Sequence, residues 1–213
     1  MPSRDGGSHM GNRKERNVAV CVTGASGAVY AREVLEACAE AGFRVHWVVT
    51  RRGAEVLRLE AGAAVDPARP EPGGWLSPRA RKAMRGWGID DFESPLASGS
   101  FPLEAVVVVP CSMGALARIA SGASTDLVER AADVALKEGR RLVLVPRETP
   151  LSAVHLSNML ALARAGAVIL PAAPAFYFGP SSVEDLARFV AAKVLQQLGV
   201  PVPERFAWKG NTG

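Results

Sequence analysis

Apolar residues along the chain gather into five short runs, at 18–23, 45–50, 105–110, 142–146 and 167–171, most of them continuous rather than alternating. A strand with one wet face alternates, whereas a strand covered by helices on both faces does not, so these runs predict a buried parallel sheet. Between them, Ala-rich stretches with helical periodicity predict helices at about 29–41, 51–60, 112–120, 126–138, 152–165 and 182–198. Asp126 and Ser152 stand where N-caps belong, and Gly42, Gly139, Gly166 and Gly199 where helices should end. Strand and helix alternate in order. With right-handed crossovers this gives a single-domain α/β fold: a doubly wound, mostly parallel sheet with helices on both faces, Rossmann- or flavodoxin-like in its three layers. Pro110, Pro146 and Pro171 close three of the runs, and a residue without an N–H is expected to end the ladder there.

The stretch 61–100 interrupts the rhythm. It is rich in Pro, Gly and Arg, carries Trp75 and Trp87, and is expected to cover one sheet edge with a short helix at 78–85. The tail from about 199 is too short to fold alone, so Trp208 is expected to pack on the parent domain or on a neighbouring subunit. Residues 1–10 include Gly7-Ser8-His9-Met10, the pattern of a tag-removal scar, and the single domain is read as 11–213.

Composition narrows the classes. A length of 213 residues with 48% hydrophobic and 22% charged suits one α/β core. Cys21, Cys38 and Cys111 are odd in number and far apart, matching neither a disulfide framework nor a zinc spacing, which points to a reduced, cytoplasmic protein without a metal site. No apolar run approaches the roughly 20 residues that span a bilayer, and the start lacks the core of a signal peptide. The net charge of +4 is scattered among acidic residues with no aromatic interleaving, which favours a phosphate-bearing small molecule over nucleic acid.

In open α/β sheets ligands bind outside the carboxyl ends of the strands, so the residues just after each run carry the functional signal. Here they are polar. The first run gives Gly24-Ala25-Ser26-Gly27, which can offer backbone N–H groups and a hydroxyl to an anion, although a plain strand-to-helix turn has the same composition. It is not G-x-G-x-x-G, and the second run ends at Thr50 rather than a ribose-binding carboxylate, so a mononucleotide is favoured over a dinucleotide. Ser112 in Cys111-Ser112-Met113-Gly114-Ala115 reads as an N-cap or a phosphate donor, and Cys111 as buried packing. Arg130 and Lys137 are seven apart on one helix and share a face, either solvated or holding a phosphate. Arg147-Glu148 places a cation beside an acid/base candidate at the same edge. Glu60 ends a helix, where the dipole disfavours an anion, which hints at a purpose other than stability. Phe176-Tyr177-Phe178 is read as a pocket wall for a flat ring or allylic group. His155 is read as structural, and His46 is given no role.

These segments together resemble the flavin prenyltransferase family, the UbiX-like proteins, from Val18 to about Trp208. The similarity is densest in Thr23-Gly24-Ala25-Ser26-Gly27, Ala97-Ser98-Gly99-Ser100, Pro110-Cys111-Ser112-Met113, the stretch from Glu129-Arg130 to Lys137-Glu138, Pro146-Arg147-Glu148-Thr149-Pro150, and Ile169-Leu170-Pro171 through Phe176-Tyr177. Such enzymes attach a dimethylallyl group to reduced FMN across N5 and C6, and prenylated FMN then serves a UbiD-like decarboxylase. The resemblance implies FMN contacts from Gly24, Ala25, Ser26, Thr50, Ser112, Met113, Gly114, Ala115 and Arg147. It implies a site for dimethylallyl phosphate formed by Ser98, Arg130, Lys137, Tyr177 and Lys193, partly across a subunit interface in a homo-oligomer, a dodecamer. Ser26, Glu60 and Glu148 are assigned to proton transfer, and Lys137 and Tyr177 are also counted as catalytic. Asp90-Asp91 lacks the third carboxylate of the Asp-Asp-x-x-Asp cluster that binds magnesium in prenyl diphosphate enzymes, which fits a monophosphate donor held by Arg and Lys. Phe92 stands where family members often carry Trp, weakening a cation-stabilising face. Flavin-dependent cysteine decarboxylases share the architecture, but their early His and Pro-Ala-Ser-Ala-Asn-Thr signature are not seen. A non-enzymatic flavin-binding accessory subunit would need Ser26 and Arg147 but not Glu60, Lys137 and Tyr177.

Overall fold

The structure, a computed structural model, describes residues 15–207. The tag-like start and Trp208 lie outside the described residues. Six parallel strands form one sheet: β1 (Asn17–Val22), β2 (Arg44–Val49), β3 (Met84–Gly86), β4 (Leu103–Cys111), β5 (Arg141–Pro146) and β6 (Val168–Ile169), ordered β3-β2-β1-β4-β5-β6. The chain winds outward from β1 through β2 to β3, returns to the other side of β1, and continues through β4 to β6. The reversal leaves a crevice between the carboxyl ends of β1 and β4, the place where a doubly wound sheet binds ligands.

The continuous apolar runs are explained by two cores. Val18, Val20, Val22, Trp47 and Val107 face one side, under α1 (Ala28–Glu40) and α7 (Val183–Gln197). Ala19, Cys21, Val48, Val106 and Leu144 face the other, under α4 (Met113–Ala120), α5 (Leu127–Lys137) and α6 (Ala153–Arg164). Successive strand side chains point to opposite faces, so a strand buried on both has no polar position to spare.

The remaining helices are α2 (Arg51–Ala61) and α3 (Pro78–Ala83). Thr50, Ser112, Asp126 and Ser152 accept N-cap hydrogen bonds, and His155 completes a capping box with Ser152, which is its structural use. Gly42, Gly139, Gly166 and Gly199 follow helix ends at positive φ.

Three expectations are corrected. The helix expected at 78–85 stops at Ala83, and the chain adds the edge strand β3, paired to β2 through Met84 and Val45. Pro110 lies inside β4 rather than ending it; lacking a donor, it coincides with a register shift between Val108 and Cys111, after which pairing resumes at Pro146. The strand expected at 167–171 is only two residues long, although Leu170 N–H still donates to Leu144 (2.8 Å) and Ala172 N–H to Pro146 (3.0 Å).

Candidate active site

Thr23, just beyond β1, is buried and joins the two strands that flank the crevice. Its hydroxyl donates to the Pro110 carbonyl (2.7 Å) and accepts from the Ser112 N–H (2.8 Å). Gly24 follows, where a Cβ would overlap the side chain of Arg52 at the start of α2. Gly27 then opens α1 at φ 124, a backbone closed to ordinary side chains, and its missing Cβ would lie 2.7 Å from the Tyr30 ring.

Gly27 has no side chain to cap α1, and Glu60 takes that part. Its Oε2 accepts from the N–H groups of Gly27 and Ala28, both at 2.8 Å. The awkwardness seen in the sequence is thereby resolved: an anion at the end of α2 is received by the positive end of α1. Partial burial pushes the Glu60 carboxyl up, but hydrogen bonds from the Ser26 hydroxyl and the two N–H groups, with the charge of Arg147, outweigh it and hold the pKa below the ordinary value. Glu60 is therefore a carboxylate at neutral pH. Ser26 itself is exposed.

Arg147 leaves β5 at the same edge, its N–H directed to the Cys111 carbonyl (3.4 Å) and its charge acting on both Glu60 and Tyr30. Burial raises the Tyr30 phenol, with Arg147 opposing. Sequence reasoning passed over Tyr30. Its signal was modest: an aromatic hydroxyl three residues after Gly27, which helical spacing returns to the same end of α1. Glu148 is exposed at this edge, and its Oε1 accepts from Thr149 N–H (3.1 Å).

Beside this group lies a cleft of about 390 Å³, lined by Thr23, Gly24, Thr50, Ser112, Arg118 and Asp126 among others. Thr50 and Ser112 spend one lone pair on capping, accepting from Gly53 (3.0 Å) and Ala115 (3.3 Å), and keep their O–H to donate. Ala25 is buried and Gly114 exposed. Met113 packs into the core beneath α4 and is not among the residues lining the cleft. Burial pushes the Cys111 thiol up to about 12 despite Arg118, which leaves it protonated and unreactive. A larger groove of about 520 Å³ between α1, α7 and the tail contains none of the site residues expected from sequence.

The residues expected to surround a prenyl phosphate do not form one subsite within the chain. Arg130 Nε donates to Ala97 O (3.2 Å), Ser98 Oγ pairs with Ser100 Oγ (2.9 Å), and Lys137 pairs with Glu138 beside Gly99. Arg130 and Lys137 do share a face of α5. However, α5 starts at the cleft and runs toward the amino edge of the sheet, a length of about 16 Å at 1.5 Å per residue, which carries Lys137 to the far end. Tyr177 and Lys193 lie across the sheet: Tyr177 donates to Phe206 O (2.9 Å) and Lys193 Nζ stands 5.6 Å from the Phe189 ring centre on α7. The sheet separates the two groups.

Among the described residues, no His, Cys, Asp or Glu trio is placed to hold a metal ion, and no helix is long and apolar enough to cross a membrane.

Comparison with known proteins gives the family. Residues 7–195 match the model of the Flavoprotein family. Flavin prenyltransferase UbiX of Pseudomonas aeruginosa is 46% identical over 188 residues, covering 86% of this chain and 90% of its own. Among solved structures, AnUbiX (PadA1) in complex with FMN and dimethylallyl pyrophosphate superposes with a TM-score of 0.81 at 39% identity, covering 92% of this chain and 99% of its own. A dodecameric FMN-dependent UbiX-like decarboxylase from Escherichia coli O157:H7 follows with a TM-score of 0.79 at 38% identity, covering 91% and 100%. With a parallel sheet whose carboxyl edge gathers Ser26, Glu60, Ser112 and Arg147, and with identity of this extent, the chain belongs to the flavin prenyltransferase family of flavoproteins.

Proposed function

We propose that this protein transfers a dimethylallyl group from dimethylallyl monophosphate to N5 and C6 of reduced FMN, supplying prenylated FMN to a UbiD-like decarboxylase. The observation that carries this reading is Glu60, an ionised carboxylate bonded to Ser26 at the α1 N-terminus, at the edge where phosphate-suited groups converge. Bound reduced FMN supplies the nucleophilic ring atoms.

The residues present fit that nucleotide. Gly24, bare of a side chain so that Arg52 can pack against it, lines the cleft with the hydroxyls of Thr50 and Ser112, and Ala25 and the Ser26 hydroxyl continue the same turn. The first turn of α4, with Gly114 and the N–H of Met113, adds donors, and Ala115 adds a small apolar surface. Arg147 brings a positive charge to the ring end. Ser26 and Glu60 form a short path for a proton, with Glu60 as the group that holds it. Glu148, exposed at the same edge, is assigned as a second acid/base.

The prenyl phosphate is assigned to Ser98, Arg130, Lys137, Tyr177 and Lys193, with cations taking the charge of the departing phosphate and aromatic faces sheltering the allylic carbon. Because one chain separates these residues, the complete site is assigned to an interface between copies. Exposed apolar side chains support assembly: Val154, Leu156 and Leu160 on α6, with Leu151 and Phe176 nearby in sequence or in the loop after β6. The dodecamer named for the E. coli relative is the assembly proposed here. A cytoplasmic location accords with Cys21, Cys38 and Cys111, all free and buried.

The test is anaerobic incubation with reduced FMN and either dimethylallyl monophosphate or the diphosphate, followed by mass analysis of extracted flavin. Gain of one isoprene unit is expected with the monophosphate. Flavin binding without mass gain from either donor overturns the transferase and leaves a flavin carrier.

A further inference from the structure

The cleft at the carboxyl edge holds a cation that the resemblance did not assign. Arg118, on the second turn of α4, lines the cleft with Thr23, Gly24, Thr50 and Ser112. Its Nε donates to Glu129, whose side chain is fully buried. The other carboxylate oxygen accepts from the Thr125 N–H (2.8 Å) and hydroxyl (2.7 Å). Burial pushes this carboxyl up, yet the bonds from Thr125 and Arg118 hold it below its ordinary value, so it stays charged.

Burying the Glu129 charge costs desolvation that offsets much of its attraction to Arg118, so the pair is a poor source of stability. What it provides here is placement. Arg51 and Arg52 also border the cleft, but their partners Asp90 (3.2 Å) and Glu55 (2.8 Å) are exposed, as are the arginines themselves. Arg118 alone of the three is tied to a buried carboxylate, while its own side chain remains 48% exposed. Its Nη1 lies 3.5 Å from where a Gly114 side chain would begin, alongside the first turn of α4 and next to the Ser112 cap.

We propose that Arg118 is a phosphate-holding residue of the nucleotide site: Glu129 fixes the guanidinium at the cleft wall, and its remaining N–H groups take the phosphomonoester of FMN. The planar fork of arginine matches a phosphate in two bonds, which an ammonium does not reproduce. Asp126, the cap of α5, is a second carboxylate lining the cleft, and as an acceptor it suits hydroxyls such as those of a ribityl chain. This inference rests on the reading of the chain as an FMN enzyme.

The test compares FMN with riboflavin, which lacks only the phosphate. Removing Arg118 alone strands a buried charge, so the principal variant is Arg118→Met with Glu129→Gln, which keeps an acceptor for Thr125. Flavin affinity is read by quenching of flavin fluorescence. FMN should weaken by about 10-fold to 100-fold, the loss expected for a charge-assisted contact, and riboflavin by less than about threefold. Arg118→Lys should fall between, with FMN binding more sensitive to salt than in the unaltered protein. Equal losses for both flavins, or an unchanged preference for FMN, overturn the assignment. If the unaltered protein binds neither flavin, the flavin reading falls with the assignment; if it binds both flavins equally, or prenylates FMN while the double variant keeps its preference, Arg118 alone is rejected.

Discussion

Glu60, one residue from the end of α2, accepts at 2.8 Å from the N–H of Gly27, which opens α1. One side chain thus closes a helix end to which it does not belong, and does so with the carboxylate proposed to hold a proton. The two duties can be separated. Glu60→Gln keeps an acceptor for the N–H groups, so flavin should still bind while turnover falls by roughly 100-fold or more, as for loss of a general acid/base. Turnover measured under saturating flavin decides it, and an unchanged rate removes Glu60 from the chemistry.

The same carboxyl also links stability to acidity. Its folded pKa lies below the unfolded value, so its contribution is complete above the unfolded pKa of about 4.3 and is lost as the pH falls through the folded one. The acid limb of the denaturation midpoint should accordingly be shallower in Glu60→Gln than in the parent protein.

Gly27→Ala should destabilise the fold by about 1–3 kcal/mol, since φ 124 excludes a Cβ and the Tyr30 ring already occupies its space. Urea midpoints will show it; a change under 0.5 kcal/mol, roughly the scatter of a surface substitution, means the turn has relaxed.

His46 carries a second pH signature. Its Nε2 faces Asn17 Oδ1 (3.0 Å) and its Nδ1 accepts from Trp87 Nε1 (3.0 Å), so the ring is neutral in the fold. Burial, with Arg44 and Arg85, lowers its pKa to about 4. The unfolded chain binds a proton near 6.5 and the folded one does not, so stability present above 6.5 is lost progressively toward pH 4. His46→Gln, which can form both bonds, should flatten that limb between those values.

Complementation tests the shared site. Glu60→Gln and Lys137→Ala should each be inactive, yet oligomers reassembled from an equal mixture should recover activity at about a quarter of sites if subunits mix at random. No recovery places both residues in one subunit's site. On α6, Leu156→Glu with Leu160→Glu should dissociate the assembly, read by light scattering, and abolish prenylation while leaving each chain folded.

The two cores and the functional edge were legible because burial on both faces leaves strands such as 105–110 without polar positions, and because polar residues cannot follow such strands without a reason. Edge strand β3 was not legible: Met84, Arg85 and Gly86 are too few to show a period. Nor were the placement of Tyr30 near the charge of Arg147 and that of Arg118 at the cleft, which depend on what α1 and α4 face rather than on any local motif. Sequence spacing placed Arg130 and Lys137 on one face correctly, but says nothing about which end of a sheet a helix terminates at. Within one chain the residues expected around the prenyl phosphate form two groups on opposite faces of the sheet, and the expectation that a neighbouring subunit supplies part of that site remains a proposal.

Thr23 has a consequence of its own. Its hydroxyl proton is committed to the Pro110 carbonyl and one lone pair to the Ser112 N–H, so it has no proton left to donate to a ligand. It sets the width of the crevice before anything enters, sparing the binding step the entropy of ordering two strand ends. Affinity for flavin should thus depend on a hydroxyl whose own bonds are to the backbone.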